Sequence, residues 1–294
     1  MPEPISPANT SLKLPNKTKN INISAININS ITAPDRLQEL QHFVNDNDIS
    51  ILALSEMKVD ETVHPSLYFL DGFHAPVIKS RTRKGGGVAI YIKNTMPFSH
   101  ITQLENDAFE ALWVKIKAHK STLVLCSCYL PPKTTAEQQT EFLDYLAESV
   151  TEAQRYSPDL VAFAGDCNAG NCWLPADAPN HSPVTPFEVK LKHTVETLAL
   201  TQLIKTATRI QNDIHNIRDL ALVDRPDLIK AAGIAPTFSK LDHLPLIISL
   251  SLRINDDCRY PTNTVWDYPN TDIEGLVQSL ARTNWAEITD KVIR

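Results

Sequence analysis

The apolar residues of this chain fall into short runs of strand length, and this pattern limits the folds open to it. Eight runs read as strands: residues 21–28, 48–55, 88–92, 111–116, 122–130, 160–164, 220–223 and 246–252. Three segments have helical spacing: one that begins at Pro34, one introduced by Thr134 and Glu137 at capping-box spacing, and one over 187–204. Several strands follow one another without a helix between them. We therefore predict an α/β (α+β) protein with two mixed β-sheets packed as a sandwich and flanking helices.

The chain length allows one large domain with short extensions. Of the 294 residues, 43% are hydrophobic, which is enough to bury a sizeable core, and we place that domain at residues 21–252. Residues 1–20 are rich in Asn, Ser, Pro, Thr and Lys and are predicted to be a disordered lead-in. Residues 253–294 read as a linker and tail, since they are too short to form a core of their own.

Composition excludes several classes of protein. No apolar run approaches the roughly 18 residues of a membrane span, so we expect no membrane partner. The five cysteines form no CxxC pair, which argues against a zinc site or a disulfide framework. Cys126, Cys128 and Cys167 lie in apolar runs, which predicts buried reduced thiols and an intracellular compartment. The net charge of −6 argues against a basic surface over the whole protein.

Positive charge is nevertheless concentrated around Gly85-Gly86-Gly87. The stretch 79–93 contains no acid and carries five cations: Lys79, Arg81, Arg83, Lys84 and Lys93. The stretch should form a β-hairpin that turns near Arg83–Gly86. Two interpretations stay open. The stretch is either a patch that contacts substrate phosphates, chiefly through Arg81, Arg83 and Lys84, or a solvated hairpin tip on the far side of the protein.

Polar side chains stand where five of the apolar runs stop. They are Asn27 with Asn29, Glu56, Tyr129, Asp166 with Asn168, and Asp242 with His243. Each taken singly is explained by a turn, a cap or solvation. Together they predict a site at one rim of a sheet, and their chemistry suits magnesium-assisted phosphodiester hydrolysis.

This chemistry assigns a first set of roles. Glu56 could be the main magnesium ligand. Asp166 and Asn168 are two apart on a segment that we take as extended, so their side chains would point the same way. One could activate water while the other binds a phosphate oxygen. His243 could stabilise charge on the phosphate as a cation.

The order and context of these motifs resemble the endonuclease/exonuclease/phosphatase superfamily, also called DNase I-like. In particular they are similar to the apurinic-like endonuclease domain of non-LTR (LINE-type) retrotransposons. The matching segments are Ser24-Ala25-Ile26-Asn27-Ile28-Asn29, Ile51-Leu52-Ala53-Leu54-Ser55-Glu56, Arg83-Lys84-Gly85-Gly86-Gly87, Cys128-Tyr129-Leu130-Pro131, Gly165-Asp166-Cys167-Asn168-Ala169, Thr208-Arg209, Asp219-Leu220 and Asp242-His243. The resemblance covers roughly residues 21–252.

The resemblance implies a role for each matching residue. The metal residues would be Glu56, Asn29 and Asp242, with Mg²⁺ as the ion and Mn²⁺ as the alternative. The catalytic residues would be Asn27, Tyr129, Asp166, Asn168, Asp219 and His243, with Asp219 paired to His243. Thr208 would lie near the DNA backbone. Arg218 places a second cation beside Asp219, which is a departure from the family pattern.

The resemblance favours an endonuclease that nicks DNA, acting in the nucleus. The tail of the chain, with Trp266, Tyr268 and Trp285, is similar to the segment that precedes a reverse transcriptase in such retrotransposons. A reverse transcriptase would then be a partner domain absent from this chain. Two alternatives stay open. One is a phosphatase or phosphodiesterase of the same superfamily, since one fold hosts many activities. The other is a catalytically idle fragment that binds nucleic acid.

Overall fold

The computed structural model describes residues 20–238, 240–253 and 272–282. The predicted lead-in therefore lies outside the described residues up to residue 19, as do Trp266, Tyr268 and Trp285 of the predicted tail. The predicted domain boundaries stay predictions. The described strands are β1 (Asn20–Asn27), β2 (Ile51–Ser55), β3 (Val77–Lys79), β4 (Val88–Ile92), β5 (Phe98–His100), β6 (Glu110–Ala118), β7 (Ser121–Tyr129), β8 (Leu160–Asp166), β9 (Thr201–Gln202), β10 (Arg209–Gln211), β11 (Ile214–Asn216), β12 (Asp219–Val223), β13 (Ile229–Ile234) and β14 (Leu246–Arg253).

Helices lie between some of these strands. They are α1 (Arg36–Asp46), α2 (Ala136–Arg155) and α3 (Pro186–Thr197), with α4 (Ile273–Arg282) further along the chain. The chain divides after Cys258 into two compact units, and α4 is the described element of the second. None of the described helices has the length and apolar composition needed to cross a bilayer.

The strands of the first unit form two mixed six-stranded sheets, which confirms the predicted fold class. The first sheet has the order β13-β14-β1-β2-β4-β3, and the second has the order β5-β6-β7-β8-β12-β9. Each sheet is built around one parallel pair, β1 with β2 and β7 with β8, and its other pairs are antiparallel. Strands β10 and β11 form a separate hairpin.

Three apolar clusters hold the layers together. Alternate side chains of β2 show how one strand serves two of them: Ile51 and Ala53 face the second sheet, whereas Leu52 and Leu54 face α1. The third cluster packs α2 and α3 against the outer face of the second sheet and includes the buried Trp113. The order of layers is therefore helix, sheet, sheet, helices, with one apolar core between the sheets.

Helix ends differ from the sequence predictions at two places. The capping box of α2 is formed by Thr135 and Gln138, one residue later than the predicted pair. The predicted helix over 187–204 ends at Thr197, because Ala199 has a left-handed backbone (φ 54°) and Leu200 N bonds back to Val195 O. The strands β5, β9, β10, β11 and β13 have no counterpart among the eight predicted strands.

Candidate active site

Strand pairing brings the predicted polar residues to one rim of the sandwich. β1 ends at Asn27, which pairs with Ser55, the residue before Glu56. In the second sheet Tyr129 pairs with Asp166, and Asp166 also pairs with Asp219 at the start of β12. Each sheet therefore supplies one half of the site.

The Glu56 carboxylate is the centre of the half that the first sheet supplies. Glu56 Oε1 accepts from the Tyr129 hydroxyl at 3.0 Å and from Asn27 Nδ2 at 3.4 Å, and Oε2 lies 3.0 Å from Lys58 Nζ. Although burial opposes it, these hydrogen bonds and the Lys58 charge lower the pKa of Glu56. Glu56 has a left-handed backbone (φ 51°), a conformation that costs an L-residue roughly 1–2 kcal/mol. Such strain is typical of positions that function fixes.

Asn27 links the two halves of the site. Its side-chain nitrogen donates to Asp166 Oδ2 at 2.9 Å as well as to Glu56, and its Oδ1 accepts from Asn29 N at 3.1 Å. One amide therefore holds two carboxylates from different sheets at a fixed separation. This uses both amide functions, which an apolar or purely acidic residue could not do.

Asp166 lies in an environment opposite to that of Glu56. Its side chain is only 1% exposed, and it accepts from Asn27 Nδ2 and from Asn168 N. Burial, followed by the nearby Asp219 charge, raises the pKa of Asp166 well above the usual range. The preceding Gly165 is required here, since a Cβ at that position would collide with the Cys128 backbone.

The predicted pair of Asp219 and His243 is present. His243 Nδ1 donates to Asp219 Oδ2 at 2.8 Å, and His243 Nε2 lies 4.0 Å from Asp166 Oδ2. Although burial disfavours the cation, the Asp219 carboxylate raises the pKa of His243 to about 9. Arg218 does not compete for Asp219, because its guanidinium donates to Asn168 O at 2.8 Å.

The predicted position of Thr208 near the DNA backbone is wrong. The residue is fully buried, and its hydroxyl donates to Asp219 Oδ2 at 2.7 Å. The Thr208 hydroxyl oxygen in turn accepts from Arg218 N and Asp219 N. A buried hydroxyl with all these partners orients Asp219 and is not available to a phosphate.

The segment after Asp166 also differs from the prediction. Asn168 has a left-handed backbone (φ 50°) and lies beyond the end of β8, so the prediction that it shares an extended segment with Asp166 is wrong. Instead, Asn168 N donates to Asp166 Oδ1 at 2.9 Å in a tight turn, and Asn168 Nδ2 donates to Leu130 O at 3.0 Å. Asn168 stays half-buried beside the site.

The glycine-rich stretch forms the predicted hairpin, and it adjoins the site. Strands β3 and β4 pair, and Thr82 bridges Gly85 across a turn at Arg83 and Lys84. Gly86 and Gly87 have positive φ, and their carbonyls accept from Lys58 N and Met57 N, immediately after Glu56. The hairpin therefore does not lie on the far side of the protein from the site.

Within the hairpin, the predicted cations differ in availability. Arg83 and Lys84 are exposed at the turn, whereas Arg81 forms a 2.8 Å ion pair with Glu110. Lys93 does not belong to the patch, because it pairs with Asp48 at 2.6 Å near the opposite end of β4.

The remaining predicted metal residues lie at two edges of the site. Asn29 is exposed and its Oδ1 accepts from Lys58 Nζ at 2.5 Å. Asp242 is 40% exposed, and its carboxylate pairs with Arg209 at 2.7 Å. Sequence reasoning missed both cations. The Glu-x-Lys spacing of Glu56 and Lys58 was the available sequence signal for Lys58. For Arg209 the sequence offered no signal beyond its place in the Thr208-Arg209 motif.

The oxygen donors at this rim fit a hard divalent cation. Glu56 Oε2 and Asn29 Oδ1 converge on one ammonium group, so their geometry already accommodates a positive charge, and carboxylate and amide oxygens are ligands that Mg²⁺ prefers. A second arrangement exists nearby: ligand atoms of Asp166, Asp219 and His243 lie within 4.8 Å of one another. The first set is purely oxygen, whereas the second includes a histidine that already pairs with Asp219.

Comparisons with known proteins agree with this architecture. A probable RNA-directed DNA polymerase from the transposon X-element of Drosophila melanogaster is 26% identical over 215 residues, which are 73% of this chain and 22% of that protein. This chain thus spans about a fifth of that relative.

Solved structures show the same fold at low sequence identity. The endonuclease domain of TRAS1, a telomere-specific non-LTR retrotransposon, superposes with a TM-score of 0.61 at 17% identity, covering 79% of this chain and 99% of that domain. A 3′ phosphatase from Neisseria bound to a product DNA hairpin gives a TM-score of 0.60 at 17% identity, covering 78% and 99%.

A family match covers most of the site. Residues 24–230 match the family described as Endonuclease/Exonuclease/phosphatase, a range that contains Asn27, Glu56, Tyr129, Asp166 and Asp219 but ends before His243. The resemblance predicted from the motifs is confirmed. By this match over 24–230, the chain belongs to the Endonuclease/Exonuclease/phosphatase family.

Proposed function

We propose that this protein is a magnesium-dependent endonuclease that nicks DNA, of the kind found in non-LTR retrotransposons. The observation that carries the proposal is the pairing of two unlike carboxylates through one amide. Asn27 donates to both Glu56 and Asp166. Glu56 is partly exposed and lies beside the Lys58 ammonium, whereas Asp166 is buried and lies beside the Asp219 carboxylate. Sites that need one metal ligand and one base require this difference.

Glu56 and Asn29 would hold the ion, with Asp242 assisting from the neighbouring edge. When bound, Mg²⁺ would neutralise charge on the scissile phosphate and Mn²⁺ could replace it. Asp242 is the weakest member of this set, since its carboxylate already pairs with Arg209.

The buried half of the site would move the proton and stabilise charge. Asp166, whose pKa is raised by burial and by Asp219, would orient the attacking water and accept its proton. His243, held protonated by Asp219, would donate to a non-bridging phosphate oxygen as negative charge develops. Attack of the water oxygen on phosphorus, with transfer of its proton to Asp166, would form the new P–O bond and break the P–O bond to the leaving strand, whose departing oxygen would take a proton from solvent.

Four further side chains would hold the phosphate or tune these groups. Asn27 keeps Asp166 in place, and Asn168 holds the turn that follows it. The Tyr129 hydroxyl, which donates to Glu56 in the structure, could turn to a phosphate oxygen once that carboxylate binds the ion. Thr208 would act only through Asp219.

The hairpin beside Glu56 favours DNA over a small phosphomonoester. Arg83 and Lys84 stand exposed at its turn, and the hairpin is bonded to the segment that follows Glu56 through the Gly86 and Gly87 carbonyls. A DNA strand along the rim would pass this hairpin. The Neisseria neighbour is bound to a product DNA hairpin, and the TRAS1 neighbour is a retrotransposon endonuclease. The transposon X-element relative is a probable RNA-directed DNA polymerase, so a reverse transcriptase domain would be the functional partner and the nucleus, where the target DNA lies, the place of action.

A nicking assay on supercoiled plasmid tests the proposal against both alternatives. The full chain with Mg²⁺ should produce open-circular DNA, and EDTA should stop it. A 3′-phosphorylated oligonucleotide and p-nitrophenyl phosphate should be processed far more slowly. Release of phosphate without nicks would instead identify a phosphatase, and DNA binding without either reaction would identify an idle fragment. A His243→Ala preparation purified in parallel controls for contaminating nuclease.

A further inference from the structure

The Lys58 ammonium is held by the same two oxygens that we assign to the metal. Lys58 Nζ lies 3.0 Å from Glu56 Oε2 and 2.5 Å from Asn29 Oδ1, and the side chains of Lys58 and Glu56 are each 21% exposed. The contact is built into the backbone as well. Lys58 has a left-handed conformation (φ 53°), and its N–H donates to Gly86 O at 2.9 Å, which fixes the base of its side chain.

An ammonium group and a metal ion cannot share these oxygens. Mg²⁺ binds its ligands at about 2.0–2.1 Å and requires near-octahedral geometry. An ion on Glu56 Oε2 would therefore stand close to Lys58 Nζ, and two positive charges would repel each other in a partly buried site. Metal binding requires the ammonium to leave.

We propose that Lys58 is the resident counter-ion of the metal site: it stabilises the Glu56 carboxylate before metal binds and competes with the metal for Glu56 and Asn29. The inference rests on the proposed metal-dependent function. Lys58 is then a positioning residue that sets the metal concentration at which the site fills.

This role differs measurably from that of an ordinary structural ion pair. If Lys58 only held Glu56 in its productive position, removing the ammonium would misplace the carboxylate and weaken metal binding. If Lys58 competes, removing it leaves two oxygens without a cation, and the metal binds more tightly. The two roles predict opposite changes in the dissociation constant.

Isothermal titration of Mg²⁺ into the full chain measures that change. We expect Lys58→Met to lower the dissociation constant by about 10-fold, since a charge-assisted hydrogen bond no longer has to be broken. Lys58→Arg keeps the charge and should stay near the wild-type value. Lys133→Met removes an exposed charge near Tyr129 and should have little effect, which controls for the general loss of positive charge.

Thermal unfolding gives a second readout that does not depend on activity. In EDTA, Lys58→Met should melt below the wild type, because Glu56 lacks its counter-ion, and Mg²⁺ should raise its Tm by more than it raises the wild-type Tm. Equal or weaker Mg²⁺ affinity in Lys58→Met overturns the role of Lys58 alone. If neither protein binds millimolar Mg²⁺ or Mn²⁺, the metal-dependent function itself is overturned.

Discussion

The two carboxylates of the site, one from each sheet, stand in contrasting surroundings. Glu56 directly follows β2, is partly exposed, and touches the Lys58 ammonium, which helps to keep its pKa low. Asp166 ends β8, is buried, and faces Asp219, which helps to raise its pKa. Both accept a hydrogen bond from the same Asn27 amide. The difference therefore comes from the neighbours that each sheet supplies.

This contrast explains how two similar groups could take different roles. A carboxylate that stays ionised among cations and donors is suited to bind a metal ion. A carboxylate with a raised pKa is better suited to accept a proton near neutral pH. Sequence motifs identify both residues, but only their surroundings distinguish them.

Exchanging each carboxylate for its amide should separate the two roles and give the largest effect. Asp166→Asn removes the base, so we expect nicking to fall by about 10³-fold or more at every Mg²⁺ concentration. Glu56→Gln weakens a metal ligand, so we expect the Mg²⁺ concentration for half-maximal rate to rise by about 10-fold, with partial rescue at high Mg²⁺. Initial nicking rates over a Mg²⁺ series measure both.

Asp224→Asn is a matched control for these variants. Asp224 follows β12 at the opposite end of the second sheet, where its Oδ1 accepts from Val161 N at 2.8 Å. An asparagine retains that acceptor, so the rate should not change. Rescue of Asp166→Asn by Mg²⁺, with no rescue of Glu56→Gln, would reverse the roles that we assign.

The buried half of the site should also make stability depend on pH. The folded-state pKa of His243 is raised to about 9, above its usual value of about 6.5. The folded state therefore binds this proton more tightly, so the contribution to stability is full below about pH 6.5 and is lost as pH rises through 9. Between pH 7 and 9.5 we expect the wild-type free energy of unfolding to fall by about 2–3 kcal/mol more than that of His243→Gln.

Urea unfolding of both proteins at the two pH values measures this difference. The same variant should nick DNA about 10²-fold more slowly, as expected when a donor that stabilises developing charge is lost. If the free energy of unfolding falls by the same amount in the two proteins between these pH values, His243 and Asp219 do not form an ion pair in the folded state.

Most residues of the rim could be predicted from the sequence, because they stand at the ends of apolar runs that are recognisable as strands. The strands that lead to Asn27, Glu56, Tyr129 and Asp166 are apolar runs of ordinary length, so both their presence and their polar ends are readable. The strands that were missed are mostly short and partly exposed, such as β10 and β11, and carry no such period.

Tertiary contacts account for the other differences. Leu198 and Leu203 extend the helical spacing of α3, yet Leu198 packs with the outer cluster and Leu203 with the core between the sheets. Thr208 reads as a polar surface residue, and only the approach of Asp219 explains its burial. Neither fact can be obtained from local spacing.

The cations of the hairpin should give the smallest effect and would extend the comparison to substrate binding. Arg83 and Lys84 are exposed at the turn of the hairpin that adjoins Glu56, so replacing both with alanine should weaken DNA binding about 10-fold or less, equally for all sequences. A plot of the logarithm of the binding constant against the logarithm of the salt concentration should also become less steep, by roughly 0.9 in slope for each phosphate that the protein no longer neutralises. Lys117 and Lys120 lie near the β6–β7 turn, away from the rim, so Lys117→Ala with Lys120→Ala is the matched control. If fluorescence anisotropy gives the same affinity and slope for both double variants, the hairpin is a solvated tip and DNA must be held elsewhere on the rim.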